Sequence, residues 1–565
     1  MDRSVSASPT GRRDRSPTTG VPSVAVALAA LLALSLLSGC AVPVFGSTGD
    51  ETSIEFASAT EESGLAYDSK RLGSYAKGNE GLYVADVNRD GWADVLAIGG
   101  ERPALYANEN GTFERSGQLS SLAGEYRTAT FVDYDGDGWR DLILLGKGRE
   151  MVAFHNDEGT FERTDVGLGE TAYPAGAVAA DFDGDGDLDL FVYQSGTWAK
   201  EPPQAYQMPV DFVDQDNGHD NQLYENVGGE FERVRGAGFD GGHWTLAASG
   251  VDLNGDGLPD VHAANDFWYD RVYVNRGNMT FEARRLGEPT ARNAMSSEVG
   301  DVNGDGHPDL FVTNIYLPLR EHLSRERFRR IKMLLGFVVE SGKTNGSNLL
   351  VNDGTGNFTD RAPAYGVRKG GWAWAASFAD FDNDGDDDLL HTTQKVVRLN
   401  ETDPKYTLPM IRERRGDEFV TLDASERGLE EANGRGMVAL DYDHDGDIEV
   451  VTNNIDSNVT VYDNVGTTGN ALQFRVATGP GNRTAVGATV TVEYGGESQT
   501  VFVTDQTDFL SQEPLANHVG LGDADSATLT VRWPDGTERT FEDVAAGQRV
   551  RVTKDGVETV FEFSE

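Results

Sequence analysis

Residues 181–189 carry five carboxylates within nine positions, in the order Asp, Phe, Asp, Gly, Asp, Gly, Asp, Leu, Asp. Such closely spaced like charges repel one another, and an ordinary surface loop gains nothing from them. A hard dication reverses the sign of that interaction, because Ca²⁺ binds about 6–8 oxygen atoms and alternate residues of a tight loop can all point towards it. Gly186, at the sixth position, provides the positive φ that such a loop requires. The segment therefore predicts a calcium loop.

The same pattern occurs seven times, with Asp, Asn or Glu at positions 1, 3, 5 and 9 and glycine at position 6. The first residues of successive loops, named A to G here, are 47, 48, 71, 49, 79 and 61 residues apart. We therefore predict about seven Ca²⁺ sites. Their ligands are, in order, Asp86, Asn88, Asp90 and Asp94; Asp133, Asp135, Asp137 and Asp141; Asp181, Asp183, Asp185 and Asp189; Asp252, Asn254, Asp256 and Asp260; Asp301, Asn303, Asp305 and Asp309; Asp380, Asp382, Asp384 and Asp388; Asp441, Asp443, Asp445 and Glu449.

An EF-hand begins with the same residue pattern, but it requires flanking helices and an acidic bidentate ligand at position 12. None of the seven loops has an acid there; the residues are Ala97, Leu144, Val192, Ala263, Val312, His391 and Thr452. The flanking segments are apolar and strand-like, as at 131–132 and 142–145. The pattern thus favours calcium loops between β-strands.

Each loop lies within a larger unit of four short apolar segments. A third-strand and glycine-turn pattern recurs at 105–113, 152–161, 223–231, 272–281 and 349–358. Repeats of about 50 residues with four strands each indicate a β-propeller rather than a sandwich. We predict an all-β protein in which residues 52–468 form a seven-bladed β-propeller with calcium loops. The strand expected at 54–56 would complete the last blade.

Acidic residues outnumber basic ones by 93 to 48, which gives a net charge of −45. Seven bound Ca²⁺ ions would offset only 14 of these charges, and Lys is sparse, at 10 against 38 Arg. The composition is typical of a chain adapted to high salt. It argues against nucleic acid as a partner, because phosphate backbones require a basic surface.

The N-terminus predicts export. A basic region precedes the apolar segment 21–37, and Leu-Ser-Gly-Cys follows at 37–40. We predict a signal peptide with a lipobox at 1–39, lipidation of Cys40 and a short tether at 40–51. A plain signal peptide remains the alternative, and the choice between general and twin-arginine export stays open. Cys40 is the single cysteine, so disulfides are excluded.

Two insertions interrupt the repeats. Residues 196–220 carry an acid cluster that predicts either an eighth cation site or a solvated loop, namely Asp211, Asp214, Asp216 and Asp220. Residues 318–343 have helical periodicity and a basic cluster, namely Arg320, Arg325, Arg327, Arg329, Arg330 and Lys332. That helix is either a docking surface for an anionic partner or a cap on the ring of repeats.

Alternating apolar residues at 488–494 and 528–533 predict β-structure in the C-terminal segment as well. Four motifs lie there, reading NRTAVGA at 482–488, FLSQ at 509–512, HVGLG at 518–522 and WPDG at 533–536. Together they make 471–565 resemble the ASPIC/UnbV domain of cartilage-acidic-protein-like secreted proteins. The repeats resemble FG-GAP/VCBS repeats, the blade type of the integrin α-subunit head. A β-sandwich-like C-terminal domain is expected.

No catalytic motif stands out in the sequence. It contains no G-x-S-x-G, H-E-x-x-H or C-x-x-C pattern, and the nine histidines are scattered. The resemblance to FG-GAP-like repeats also covers some sugar lyases and dehydratases, so an enzyme that uses a central channel remains the alternative.

The resemblance and the acidic loops together imply an exported, lipid-anchored calcium-binding surface protein. Its expected role is adhesion through an extracellular protein or glycan, with structural rather than catalytic calcium. A structural subunit of a surface assembly is a third possibility.

Overall fold

The computed structural model describes residues 52–69, 79–122, 125–196, 218–239, 241–266, 268–286, 293–316, 346–394, 408–455, 457–478, 483–506 and 508–564. These ranges belong to one compact unit, Thr52–Glu565. The predicted signal peptide, Cys40, the helix at 318–343 and most of the acid cluster at 211–220 lie outside them. Within the described ranges, no helix is long and apolar enough to cross a membrane.

The repeats fold into seven four-stranded antiparallel sheets, named A to G after their loops, and all elements with assigned bounds are strands. The first element is β1 (Phe56–Ser58). Sheet A contains β2 (Gly81–Ala85), β3 (Asp94–Ile98), β4 (Ala104–Asn108) and β5 (Phe113–Arg115). Sheet B contains β6 (Tyr126–Val132), β7 (Asp141–Gly146), β9 (Val152–Asp157) and β10 (Thr160–Thr164), and a separate two-stranded ladder joins β8 (Arg149–Glu150) to β11 (Glu170–Thr171). Sheet C contains β12 (Pro174–Ala180), β13 (Asp189–Gln194), β14 (Gln222–Val227) and β15 (Glu230–Val234).

The remaining sheets repeat this order. Sheet D contains β16 (Trp244–Val251), β17 (Asp260–Asp266), β18 (Arg271–Asn275) and β19 (Phe281–Arg285). Sheet E contains β20 (Glu298–Gly300), β21 (Asp309–Val312), β22 (Asn348–Asn352) and β23 (Phe358–Asp360). Sheet F contains β24 (Ala373–Ala379), β25 (Asp388–Thr393), β26 (Met410–Arg415) and β27 (Glu418–Thr421). Sheet G contains β28 (Gly434–Leu440), β29 (Glu449–Asn454), β30 (Thr460–Asn464) and β1.

The N-terminal strand completes sheet G. Phe56 pairs with Asn464 and Ser58 with Tyr462 in an antiparallel register. The prediction that an early strand supplies the missing fourth strand is confirmed, although the strand is Phe56–Ser58 rather than 54–56. Chain ends that meet within one sheet leave fewer unpaired backbone groups at its edge.

The apolar core lies between the sheets. Successive side chains of a strand point to opposite faces, so neighbouring residues of each second strand pack against different sheets. The clusters shared between sheets contain Leu96 and Leu142 for A and B, Ile143 and Leu190 for B and C, Phe191 and Val261 for C and D, Phe311 and Leu389 for E and F, Leu390 and Val450 for F and G, and Val451 and Val95 for G and A; between D and E, Val272 of the third strand of D shares a cluster with Leu310. Burial on both faces explains why these strands read as continuous apolar runs.

The C-terminal segment forms two further four-stranded sheets around a shared core that includes Trp533 and Phe474. Its strands are β31 (Asn470–Val476), β32 (Thr489–Tyr494), β33 (Glu497–Phe502), β34 (Asp505–Gln506), β35 (Ser511–Gln512), β36 (Asn517–Gly522), β37 (Ser526–Arg532), β38 (Glu538–Ala545), β39 (Gln548–Thr553) and β40 (Gly556–Glu562). One sheet runs β36-β31-β39-β40 and the other β33-β32-β37-β38. The short strands β34 and β35 instead join sheets C and A, beside β12 and β2.

Candidate metal centres

Each acidic loop connects the first two strands of its sheet, and its ninth residue fixes the loop to the sheet. In loop C, Asp189 Oδ2 accepts a hydrogen bond of 2.8 Å from Phe182 N and Oδ1 accepts one of 2.8 Å from Asn226 N. The corresponding bonds recur around Asp94, Asp141, Asp260 and Asp309. The position-9 carboxylates are fully buried, so this residue has a structural role whether or not a metal is bound.

The first and sixth positions shape the loop as the sequence predicts. Asp181 Oδ2 accepts the N–H of Gly186 at 3.0 Å, and Asp181 Oδ1 accepts that of Gly184 at 2.8 Å. Gly186 has φ 101°, a left-handed conformation that only glycine adopts readily. The other position-6 glycines also have φ between 79° and 102°; they are Gly91, Gly138, Gly257, Gly306, Gly385 and Gly446.

Four of the seven loops bring at least three predicted ligands together, with one oxygen atom of each within 4.8 Å of the others. The groups are Asp133, Asp135 and Asp141 in loop B; Asp181, Asp183 and Asp189 in loop C; Asp380, Asp382 and Asp388 in loop F; and Asp441, Asp443, Asp445 and Glu449 in loop G. In loop C, Asp185 lies outside the group, as do Asp137 and Asp384 in loops B and F. These four groups of carboxylates could bind metal ions such as Ca²⁺, which prefers oxygen ligands.

Loops A, D and E, which have Asn at position 3, differ. The amide nitrogen donates to a carboxylate of the same loop, over 2.8 Å from Asn88 to Asp90 and 2.8 Å from Asn303 to Asp305. In loop D, Asn254 donates to the position-9 residue Asp260 at 2.9 Å. Among the described residues, these loops do not gather three carboxylates at the spacing found in loop B. A cation there would take the amide oxygen instead, which a rotation of the amide brings forward.

His155 lies beside loop B, which the sequence did not predict; it groups with two carboxylates as metal ligands could, but at a calcium site its ring nitrogen would contact the carboxylates and not the ion. Its Nδ1 lies 3.1 Å from Asp135 Oδ2 and 3.3 Å from Asp141 Oδ1. His155 precedes Asn156, whose backbone N–H binds Asp141, and it groups with Asp135 and Asp137. His155 therefore faces loop B. Its position beside the loop depends on the pairing of strands β7 and β9, which the sequence alone does not show.

Burial makes these carboxylates costly without a counter-charge. It raises the pKa of Asp141 and of Asp189 to about 8, and that of Asp133 to about 6. Several buried carboxylate oxygens have no hydrogen-bond partner: Oδ1 of Asp86, both oxygens of Asp133, Oδ1 of Asp382, Oδ1 of Asp443 and Oε1 of Glu449. Unpartnered buried oxygens at the centre of an acidic loop fit a bound Ca²⁺, which coordinates oxygen atoms only.

A recurring asparagine joins each loop to the next sheet. Asn226 in β14 donates through Nδ2 to Tyr134 O of loop B at 2.7 Å and to Leu188 O at 3.0 Å. The equivalent bonds are Asn108 to Tyr442 O, Asn156 to Val87 O, Asn275 to Phe182 O, Asn352 to Leu253 O and Asn464 to Phe381 O. In sheet F, Arg414 Nη2 replaces the amide and donates to Val302 O at 2.8 Å. These seven bonds connect the sheets in a closed cycle.

The C-terminal domain contacts several of the loops directly. Gln473 Nε2 donates to Asp441 Oδ2 at 2.7 Å, and His518 Nε2 lies 2.6 Å from Asn383 Oδ1. The His444 ring of loop G stacks between the rings of Trp92 and Phe561, with centroids 3.6 and 3.7 Å away. The sequence motif containing His518 thus serves the contact with loop F.

A buried ion pair ties the C-terminal segment to sheet B. Arg140 donates to Asp505 through Nη1 at 2.6 Å and through Nη2 at 2.9 Å, and both side chains are almost fully buried. Gln512 Nε2 donates to the same carboxylate at 2.6 Å. The pair anchors β34 beside sheet C and joins the C-terminal segment to the repeats.

A cavity of about 190 Å³ lies between sheets E, F and G and the segment 499–518. Five acidic residues line it, namely Glu298, Asp387, Asp441, Asp508 and Glu513, and burial raises the pKa of Asp508 and of Glu513 to about 7. His262 and His391 are fully buried, and burial lowers the pKa of each to about 3. Neither of these histidines is among the residues that line the cavity.

The fold and its loops define a class of protein: an all-β repeat protein whose antiparallel sheets are consistent with propeller blades and carry acidic loops suited to metal ions. Residues 86–144, 133–192, 252–312 and 337–391 match the family described as FG-GAP-like repeat, and 478–559 match ASPIC and UnbV. The chain is thus a protein of FG-GAP-like repeats with a C-terminal ASPIC/UnbV domain. Loop G, which has Glu449 at position 9, lies outside the matched repeats. No curated protein matches the chain.

Proposed function

We propose that the protein is an exported, calcium-stabilised seven-bladed β-propeller, spanning 52–468, that carries a β-sandwich-like domain at 471–565. Its role is to bind an extracellular protein or glycan at the cell surface, where Cys40 anchors it to the membrane through a lipid. The closed cycle of hydrogen bonds and the seven shared apolar clusters support the ring. Any other number of blades would break one of these links.

The observation that carries the calcium assignment is the state of Asp133. Its side chain is fully buried, and no side chain donates a hydrogen bond to it; the backbone N–H of Gly138 offsets only part of the rise in its pKa. A buried charge without a partner is strongly unfavourable. Bound Ca²⁺ supplies the missing positive charge, while the position-9 carboxylate and the position-6 glycine hold the loop in shape. Calcium therefore has a structural role, with one ion fixing one turn between strands.

The adhesion role rests on the resemblance of the repeats to those of the integrin α-subunit head and on the acidic, exported character of the chain. An unbiased capture experiment tests it directly. The purified protein, immobilised with and without calcium, is exposed to extracts of native membranes and extracellular matrix and to a glycan array. A specific protein or glycan retained in calcium supports the role, and the absence of any specific ligand from both sources refutes it.

The anchor is tested separately. Mass spectrometry of the mature N-terminus is expected to find a lipidated Cys40, and the substitution Cys40→Ser is expected to release the protein from the membrane fraction. An unmodified Cys40, or cleavage elsewhere, would leave an exported protein without this anchor.

An enzyme acting on uronate-containing polysaccharides is the second candidate. The cavity that contains Glu298, Asp508 and Glu513 favours it, because the pKa values of Asp508 and Glu513, about 7, suit proton transfer. An activity screen on such polysaccharides separates the two functions, since turnover yields product and binding does not. Loss of turnover in Asp508→Asn would assign the chemistry to this cavity.

A further inference from the structure

A second cavity, of about 310 Å³, lies between loops A and B and strands β31 and β39 of the C-terminal domain. We call it the arginine cavity, because six guanidinium groups belong to its lining: Arg89, Arg140, Arg475, Arg483, Arg549 and Arg551. Two carboxylates, Asp86 and Asp90, share that lining, so the arginines outnumber them three to one. The local charge is therefore opposite to the −45 of the whole chain.

Three of these arginines are held by the protein itself. Arg140 forms the buried pair with Asp505. Arg549 Nε donates to Gln473 Oε1 at 2.7 Å, and Arg89 Nε donates to a carbonyl of loop B at 3.1 Å. These contacts fix the guanidinium groups in place, so that part of the cavity wall is rigid and positively charged before any ligand arrives.

The other three arginines have no such partner. Within the described part of the chain, no hydrogen bond or ion pair engages the side chains of Arg475, Arg483 or Arg551. The side chain of Arg475 is half-buried, whereas those of Arg483 and Arg551 are exposed. Burial, together with the charges of neighbouring arginines such as Arg140, lowers the pKa of Arg475 to about 10. Asp86 offsets part of the charge of Arg475, but the neighbouring guanidinium groups still repel one another, and an anion would relieve that repulsion.

We propose that the arginine cavity binds a sugar-sized organic ester of sulfate or phosphate, with the three terminal oxygens of its tetrahedral anionic group held by Arg475, Arg483 and Arg551. A guanidinium group forms paired hydrogen bonds with the oxygens of such an anion. A carboxylate presents two oxygens in one plane, whereas the tetrahedral group presents three, so that one oxygen can face each of the three guanidinium groups. Ligand pockets usually have volumes of about 300–1,000 Å³, so this cavity has room for the organic part as well.

The site belongs to neither domain alone. Arg89 and Arg140 come from loops A and B, whereas the three unpartnered arginines belong to the C-terminal domain. A bound anion of this kind would therefore strengthen the junction between the repeats and the ASPIC/UnbV domain. The inference deepens the proposed binding role by naming the chemistry of a ligand, and it does not depend on the calcium assignment.

Isothermal titration calorimetry of the mature protein, at constant ionic strength and saturating calcium, tests the site. The probes are N-acetylglucosamine 6-sulfate, glucose 6-phosphate, inorganic sulfate and glucuronate. One equivalent of at least one ester is expected to bind, and glucuronate is expected to bind at least tenfold more weakly. Tighter binding of the sulfate ester would indicate a sulfated glycan as the natural ligand, and tighter binding of the phosphate ester would indicate a phosphorylated one. A second titration in EDTA shows whether binding of the ester requires calcium, so that the two proposals are tested separately.

Two variants locate the binding. Arg475→Gln and Arg551→Gln are each expected to weaken binding of the ester about tenfold or more, because each removes a charged hydrogen-bond donor. Arg539→Gln, at an exposed position of β38, changes the net charge equally and is expected to leave affinity within about twofold. Arg551 is exposed, so its variant is expected to fold, which the melting temperature verifies. No binding of either ester at millimolar concentration, or equal losses in all three variants, would overturn the proposal.

Discussion

The sharpest prediction concerns Asp133→Asn, which should have opposite effects on stability with and without calcium. In EDTA the buried, unpartnered carboxylate of Asp133 destabilises the folded state, so the neutral amide should raise the free energy of unfolding by about 1–3 kcal/mol. With calcium, the same substitution removes a charged ligand and should weaken or abolish the binding of one ion.

The size of the calcium effect follows from mass action. Extracellular calcium modules have Kd values of about 10⁻⁴–10⁻³ M, so calcium at about ten to a hundred times Kd stabilises each site by roughly 1.4–2.7 kcal/mol. If only the four loops with grouped carboxylates are occupied, the total is roughly 6–11 kcal/mol. An unfolding entropy of about 2.1 cal/mol/K per residue then converts this total into a rise in Tm of roughly 5–10 °C for one cooperative unit of this size.

Differential scanning calorimetry in EDTA, CaCl₂ and KCl measures the Tm changes caused by calcium and by the substitution. KCl at matched ionic strength controls for screening of the −45 net charge, and Asp555→Asn, at an exposed residue of the C-terminal domain, controls for the lost charge. We expect Asp133→Asn to melt above the natural protein in EDTA and below it in calcium. A Tm that KCl raises as much as calcium does, or an Asp133→Asn variant less stable under both conditions, would refute the reasoning.

Three further predictions concern side chains other than the predicted metal ligands. Asp505→Asn breaks the buried pair with Arg140 and should cost about 3–5 kcal/mol by chemical denaturation, because it leaves a buried guanidinium uncompensated. Asn226→Ala removes the donors to two backbone carbonyls and should cost at least about 1–3 kcal/mol. Glu513, whose pKa is about 7 when folded, holds its proton more strongly folded than unfolded, so its contribution to stability is lost as pH rises from about 4.5 to about 7. Glu513→Gln should therefore flatten the decline in Tm over that pH range.

Each of these predictions has its own check. A loss below about 1 kcal/mol in Asp505→Asn would show that Arg140 finds another partner. An Asn226→Ala variant as stable as the natural protein would contradict a linking role for the asparagine. For the pH series, Glu558→Gln is the control, because Glu558 is exposed. If both glutamine variants keep the natural slope, the buried carboxyl of Glu513 does not govern it.

The sequence predicted the repeats because their chemistry is local. A nine-residue loop with alternating carboxylates and a position-6 glycine requires only neighbouring residues, and all seven glycines have the expected positive φ. The same holds for strands that read as apolar runs around each loop. The early strand that completes sheet G was predicted from counting strands, and only its bounds differ, because pairing with β30 sets them.

The candidate site was predicted in outline. The carboxylates of loops B, C, F and G do gather, but the amides of loops A, D and E point their donors at neighbouring acids. The prediction from sequence assumed that Asn and Asp at position 3 are equivalent ligands. His155 escaped notice because it lies 14 residues beyond position 9 of its loop, and a strand pairing is needed to bring it close.

The sequence by itself determined the type of repeat, a group of short strands with an acidic loop. The acidic loop, its glycine and the apolar strand pattern each depend on only a few neighbouring residues. Tertiary structure alone decided which units touch, because those contacts join residues hundreds of positions apart. Arg140 forms an ion pair with Asp505, Asn108 donates a hydrogen bond to Tyr442 O, and β35 pairs with β2. No local pattern encodes such pairs, since each depends on the closed order of the sheets and on where the C-terminal domain packs. The arginine cavity exists for the same physical reason.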